Sequence, residues 1–240
     1  GAWGAPLQLK ARLTGADVDG EVQGAGNPWA GQPEATLNVA VRRADLSAWL
    51  GAVPGSLSPL SLSSRLGVSG NVFTFDDLDT TVAGSRIRGR LTLTRGEETG
   101  VDGEIGLDTL DLAAVTGLAF GAAGHDSSTP LDRGWLRGWR GRLAFQALSA
   151  VLPGGAELRP LGGALKGDGQ SLVLENVKGG IGGGEAVINL DARQGAGNQG
   201  TAFNARIQFS NVDGAALRYR GLAIPESKVA LQMTLSGQGR

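Results

Sequence analysis

Four clusters in this chain hold residue types that do chemistry. His125, Asp126, Ser127 and Ser128 include every type found in a hydrolytic triad, but immediate neighbours in sequence do not take triad geometry, and they read as a loop. Asp76, Asp77 and Asp79 offer three carboxylates within four residues, the hard oxygen donors that calcium takes. The glycine and distal glutamate of a calcium loop are missing, which favours a solvated turn. Gly179–Gly184 reads GGIGGG and superficially suggests a phosphate cradle, yet no Lys-Ser/Thr follows and it leads into the strand-like Ala186–Leu190 instead of a helix. A flexible or bulged turn is the other reading. Trp135 and Trp139 lie among Arg133, Arg137, Arg140 and Arg142, which is two indoles and four cations within ten residues. Such a set suits lipid headgroups or a partner surface. It suits equally a segment leading into a strand, with its indoles covering the edge of an apolar face and its arginines in water.

Composition narrows the chemistry. Cysteine is absent and His125 is the only histidine, which removes disulfides, thiolate zinc sites, a cysteine nucleophile and any site needing two imidazoles. Lys+Arg number 22 against 23 Asp+Glu, a net charge of −1; no broad basic surface exists for nucleic acid, and no partner of that kind is expected. A glycan-cleaving carboxylate pair stays open as a chance pairing among the 23 acids. The expectation is a protein that is not an enzyme, with no catalytic residues, metal or cofactor. No apolar window is long enough for a spanning helix. The start, Gly1-Ala2-Trp3-Gly4, has neither a charged nor an apolar leader region, so any export signal is expected outside a chain that reads as one piece of something larger.

The positioning elements come next. Glycine supplies 41 of 240 residues, without the every-third register of collagen, and each glycine inside a helix costs about 1 kcal/mol relative to alanine. Strands are favoured, and alternation runs through the chain: Leu37, Val39 and Val41; Leu91 and Leu93; Val101, Ile105 and Leu107; Leu143 and Phe145; Leu172 and Leu174; Ile188 and Leu190; Phe203, Ile207 and Phe209; Leu231, Met233 and Leu235. Each run has polar or small residues at the other parity, the pattern of antiparallel strands apolar on one face.

The runs repeat as units. Residues 37–50, 103–115 and 205–217 each carry an alternating strand, two polar residues, an apolar residue and an aspartate (Asp45, Asp111, Asp213) placed to cap a short helical turn. Residues 75–93 align with 174–192, matching Phe75 with Leu174, Leu78 with Val177 and Gly84 with Gly183. One continuous segment is expected over 1–240, with units at about 7–50, 60–120, 135–218 and, in part, 228–240, and a loop at 121–134.

The succession of Pro130-Leu131-Asp132 before Leu136, the strand Arg142–Phe145, Pro160-Leu161-Gly162-Gly163, Leu172–Val177, Gly182-Gly183-Gly184 and the closing 203–217 unit resembles the AsmA-like family, bacterial envelope proteins related to TamB and YhdP. The resemblance spans nearly the whole chain through a degenerate pattern. It implies a repeating β-groove: a long, curved antiparallel sheet, open along one side, apolar within, with a few short helices. It also implies a periplasmic protein anchored in the inner membrane, conducting phospholipid toward the outer membrane and supporting outer membrane biogenesis. The family's N-terminal transmembrane helix and C-terminal region are not in this sequence, so contact with either membrane would come from parts outside it.

The residues point the same way unaided. A sandwich needs two sheets with large side chains filling the space between them, and only 5% of residues are aromatic. An open face lined by Leu37, Val39, Val41, Leu91, Leu93, Val101, Ile105, Leu107, Leu172, Leu174, Ile188, Leu190, Phe203, Ile207 and Phe209 would aggregate unless covered, and an acyl chain covers it at about 0.8 kcal/mol per buried CH₂. The alternatives are an ordinary β core and a structural or adhesive β-solenoid, whose coils repeat every 20–30 residues or so and stack parallel strands. Roughly 14–16 strands at about 4.8 Å make a groove of about 70 Å, one segment of a longer conduit. The lipid, the direction of movement and the oligomeric state are not specified by the sequence.

Overall fold

The computed structural model describes residues 5–15, 17–45, 60–82, 84–111, 139–152, 155–194, 201–217 and 227–239. Nearly all of them lie in strands. These are β1 (Leu7–Thr14), β2 (Val18–Asn27), β3 (Glu34–Ala44), β4 (Leu60–Ser69), β5 (Val72–Val82), β6 (Ser85–Thr94) and β7 (Thr99–Asp111), then β8 (Trp139–Val151), β9 (Glu157–Leu158), β10 (Leu161–Asp168), β11 (Ser171–Ile181), β12 (Gly184–Gln194), β13 (Thr201–Asp213) and β14 (Lys228–Gly239). The expected loop at 121–134, with His125–Ser128, falls outside the described residues, as do Arg133, Trp135 and Arg137.

Two compact units divide the chain, Gly1–Leu107 and Asp108–Arg240. In the first, β1 to β7 pair in chain order, each antiparallel to the next. In the second, β8 pairs with both β9 and β10, and the ladder runs on from β10 through β14, again antiparallel. Neither unit closes on itself, since β1 pairs only with β2 and β14 only with β13 among the described residues. The all-β, open antiparallel class read from alternation is therefore what the structure shows. Parallel stacking of the solenoid kind is absent among the described pairings.

Turn chemistry explains the connections. Gly182 and Gly183 have φ of 52° and 71° and join Ile181 to Gly184, which face each other across β11 and β12. Both central residues left-handed is the type I′ hairpin geometry that suits twisted strands. The glycine run is thus a hairpin turn, not a phosphate cradle.

A second device recurs inside the strands. Asp77, Asn176 and Asn211 have φ of 52°, 50° and 56°, and each sits in a register shift: Phe75/Leu78 in β5, Leu174/Val177 in β11, Phe209/Val212 in β13. Two residues there oppose one on the partner strand, which is a β-bulge. Apolar residues three apart consequently stay on one face. Asn and Asp tolerate the left-handed conformation that β-branched residues resist. At Asn176 the displaced backbone N–H donates to Asn189 Oδ1 at 3.3 Å. The two polar residues of the repeat at 205–217 are one such bulge. Asp213 caps as expected, its Oδ1 accepting from the Ala215 N–H at 3.0 Å at the start of a single 3₁₀ turn, Gly214–Leu217. The stretches after Asp45 and Asp111 lie outside the described residues.

Replacing Asn176 with valine should lower stability by about 1–2 kcal/mol, measured by urea unfolding, while Asn176→Gly changes it far less; equal losses in the two variants would contradict the conformational account.

Candidate functional site: an apolar face in each unit

Register turns alternation into rows. In the first unit one row runs Leu9, Gly24, Leu37, Leu66, Phe75, Leu91, Gly103 across seven strands. A parallel row runs Leu7, Gly26, Ala35, Val68, Phe73, Leu93, Val101, and another Leu13, Gly20, Val41, Leu62, Thr80, Ile87, Leu107. Val39 stands between them opposite Val22 and Ser64, and Ile105 opposite Gly89. Two polar residues on this face, Ser64 and Thr80, are buried and satisfied. Ser64 Oγ donates to the Asp76 carbonyl at 2.9 Å and Thr80 Oγ1 to the Ser61 carbonyl at 2.5 Å; buried hydroxyls left unpaired would be costly.

The opposite face is ionic. Arg42 pairs with Asp19 at 2.8 Å, Arg65 with Asp77 at 3.1 Å and Arg90 with Asp76 at 3.1 Å. Arg86 and Arg88 both reach Asp79, the latter at 3.7 Å. The hydrogen bonds from Arg86, with help from the charges of Arg86 and Arg88, hold the Asp79 carboxyl below its ordinary range. The three aspartates lie within strand β5 and not in the solvated turn expected for them, and each pairs with an arginine. Among the described residues no group of three or more metal-ligating side chains gathers. Exposed pairs of this sort add little stability and chiefly keep this face in water.

In the second unit the rows are Leu143, Leu165, Leu174, Leu190, Ala205, Leu235, and Gly141, Gly167, Leu172, Ala192, Phe203, Gly237. Further along the strands Ile188, Ile207 and Met233 line up, then Ala186, Phe209 and Leu231. One end of this face is sealed. Past Leu158 in β9, the Arg159 N–H donates to the Gly180 carbonyl at 2.7 Å, and the Gly180 N–H to the Pro160 carbonyl at 3.2 Å. Glycine is required for this approach, because a Cβ on Gly179 would lie 2.9 Å from the Leu158 Cβ. Leu158 and Val212 are 0% exposed and Leu161 is 1%. The 3₁₀ turn closes the same end, with the Asp213 N–H donating to the Gly182 carbonyl at 2.9 Å and Leu217 buried. At the other end Leu172 and Ala192 are buried, and exposure is confined to the last two strands, where Phe203 is 37% and Leu235 52% exposed. At this same end the Trp139 ring lies against Gly167, where an added Cβ would meet it at 2.8 Å, so this indole covers the edge of the apolar face.

All fifteen residues expected to line an apolar path fall on the apolar face of their own unit. Leu37, Val39, Val41, Leu91, Leu93, Val101, Ile105, Leu174, Ile188, Leu190 and Ile207 are half-buried, while Leu107, Leu172 and Phe209 are buried. Leu66, Phe73, Phe75, Ile87, Leu165, Val177 and Met233 share the same faces and were not among them. Strand β5 hid its contribution because the Asp77 bulge switches parity between Phe75 and Leu78. Glycine at 163 and 167 masked the alternation of β10. The apolar-x-Asx-apolar spacing was the available signal.

No protein-family model, curated protein or solved structure matches this chain.

Two outcomes follow from this geometry. Leu161→Ala should cost about 2–5 kcal/mol and Leu235→Ala under about 0.5 kcal/mol in the same urea titration, separating the sealed end from the exposed edge strand. Asp168 accepts from the Gln170 N–H, the Ser171 hydroxyl and the Ser171 N–H, and these bonds lower its pKa. A depressed carboxyl stabilises the fold above its unfolded pKa and ceases to do so as pH falls through its folded one. The gap in urea midpoint between the parent chain and Asp168→Ala should therefore shrink on acidification from neutral pH to below about pH 4; a gap independent of pH would refute the assignment.

Proposed function

We propose that this chain is a non-enzymatic, lipid-carrying segment of an AsmA-like envelope protein, holding phospholipid acyl chains against its apolar faces. The observation that carries the reading is a face apolar row after row in each unit, formed by strands of an open sheet and covered among the described residues only at one end of the second unit, by β9 and the 3₁₀ turn. A contiguous surface of that kind marks a binding surface. Acyl chains match it chemically, gaining about 0.8 kcal/mol per CH₂ removed from water. Hydrophobic contact has no preferred direction, so a lipid can shift from row to row without a single deep site. The segment would work in the periplasm, in a protein anchored in the inner membrane, and pass phospholipid between inner and outer membrane through parts outside this sequence. The ion-paired opposite face is suited to water and the near-zero net charge offers nothing to nucleic acid.

Ile105→Asp and Ile207→Asp place a charge in the middle of each face and should weaken binding of a fluorescent phospholipid at least roughly tenfold, with circular dichroism confirming the fold. Gln208→Asp, one residue away on the opposite face, should leave binding unchanged. Undiminished binding in both folded isoleucine variants would overturn the proposal.

A further inference from the structure

We infer that β14 is the docking edge for a second copy of this chain, the two β14 strands pairing antiparallel about Met233 to join two sheets in a symmetric dimer. The inference stands apart from the acyl-chain reading. Three observations carry it.

The first is an unguarded edge. Among the described residues β14 pairs with β13 alone, so half of its backbone N–H and C=O groups point away from any strand. Charge, proline or a bulge normally blunts such an edge. In β14, Lys228 is charged, but from Val229 to Gly239 there is neither a charged residue nor a proline. No residue of the strand is left-handed, and the register shift at Phe209/Val212 lies in β13. Lys228 does not guard the edge either, because its Nζ turns back to donate to the Asn211 carbonyl at 3.3 Å.

The second is exposure. Leu231, Met233 and Leu235 are exposed, whereas their row neighbours Ile188 and Ile207 are half-buried and Phe209 is buried. The β14 side chains have an apolar neighbour on one side only. A further strand about 4.8 Å away would cover the other.

The third is self-complementarity. Directly opposed residues of an antiparallel pair share a face. Centred on Met233, the pairing sets Leu231 against Leu235 of the second copy and Met233 against itself. On the other face Gln232 meets Thr234 and Ala230 meets Ser236, with no charge against charge. A shift of one residue would set Leu235 against Gln232. Strand β1 fails the same comparison. Its apolar-matched registers set Lys10 against Lys10 or, one step along, Lys10 against Arg12, and opposed like charges are destabilising. In the β14 pair the apolar faces of the two copies lie on the same side, so their rows run on across the junction.

One strand pair is a small interface, so the dimer should be concentration-dependent. Sedimentation velocity from about 1 to about 200 µM should show monomer giving way to dimer and nothing larger. Gln232→Lys with Thr234→Lys places lysines opposite one another on the polar side and should weaken association at least roughly tenfold. Mixing that variant with the Gln232→Glu, Thr234→Glu variant should restore a dimer, which a misfolded lysine variant would not do. Met233→Cys, in a chain with no other cysteine, should form a disulfide-linked dimer on oxidation. Gln232→Cys should not, since its copies would lie diagonally about 7–8 Å apart, beyond disulfide reach. Monomer throughout the range, a dimer indifferent to the lysines, or a mixture that stays monomeric would each overturn the inference. Growth past the dimer would also overturn it, pointing instead to head-to-tail pairing of β14 with β1.

Discussion

A sheet has two faces, and the described part of this protein depends on keeping them chemically distinct. The period-2 geometry of a strand makes the separation possible, and cross-strand register makes it continuous. From Leu9 to Leu91 and from Leu143 to Leu235 the same parity meets the same parity at every junction. One slipped residue in any strand would send a row of leucines into water and a row of arginines onto the apolar face. The ion pairs of Arg42, Arg65, Arg86 and Arg90 gain little energy individually, but those made by the slipped strand would be lost. Their contribution is to register more than to stability.

Class and faces were legible in the amino-acid sequence because alternation is a local property. Leu37-Asn38-Val39-Ala40-Val41 declares its inner side without reference to the rest of the chain. Three things were not legible. The parity switch at Phe75–Leu78 depends on Asp77 adopting a left-handed backbone, which a reading by strict alternation misses, although the same spacing at Leu174–Val177 and Phe209–Val212 marks it. The sealing of the second unit depends on Leu158, part of a two-residue strand too short to have a period. The satisfaction of Ser64 and Thr80 depends on carbonyls in neighbouring strands, a partnership between segments that sequence spacing does not express.

Closure at one end gives the second unit a direction that its repeating sequence does not advertise. Leu158, Leu161 and Val212 are almost fully buried without any ligand. Leu235, on the edge strand at the opposite end, stays about half exposed and gains less from folding alone.

Within each unit almost every strand pairs with the strand before it and the strand after it in the chain. Such a ladder has no keystone. Copying or losing one hairpin leaves the other hydrogen-bonded partners as they were and changes the extent of the sheet by about 10 Å. Gene duplication can therefore adjust reach in uniform steps while the chemistry of the surface is inherited intact. Contacts between chain neighbours also spare folding the long loop closures that slow most all-β proteins, so a longer ladder need not be a slower one to assemble.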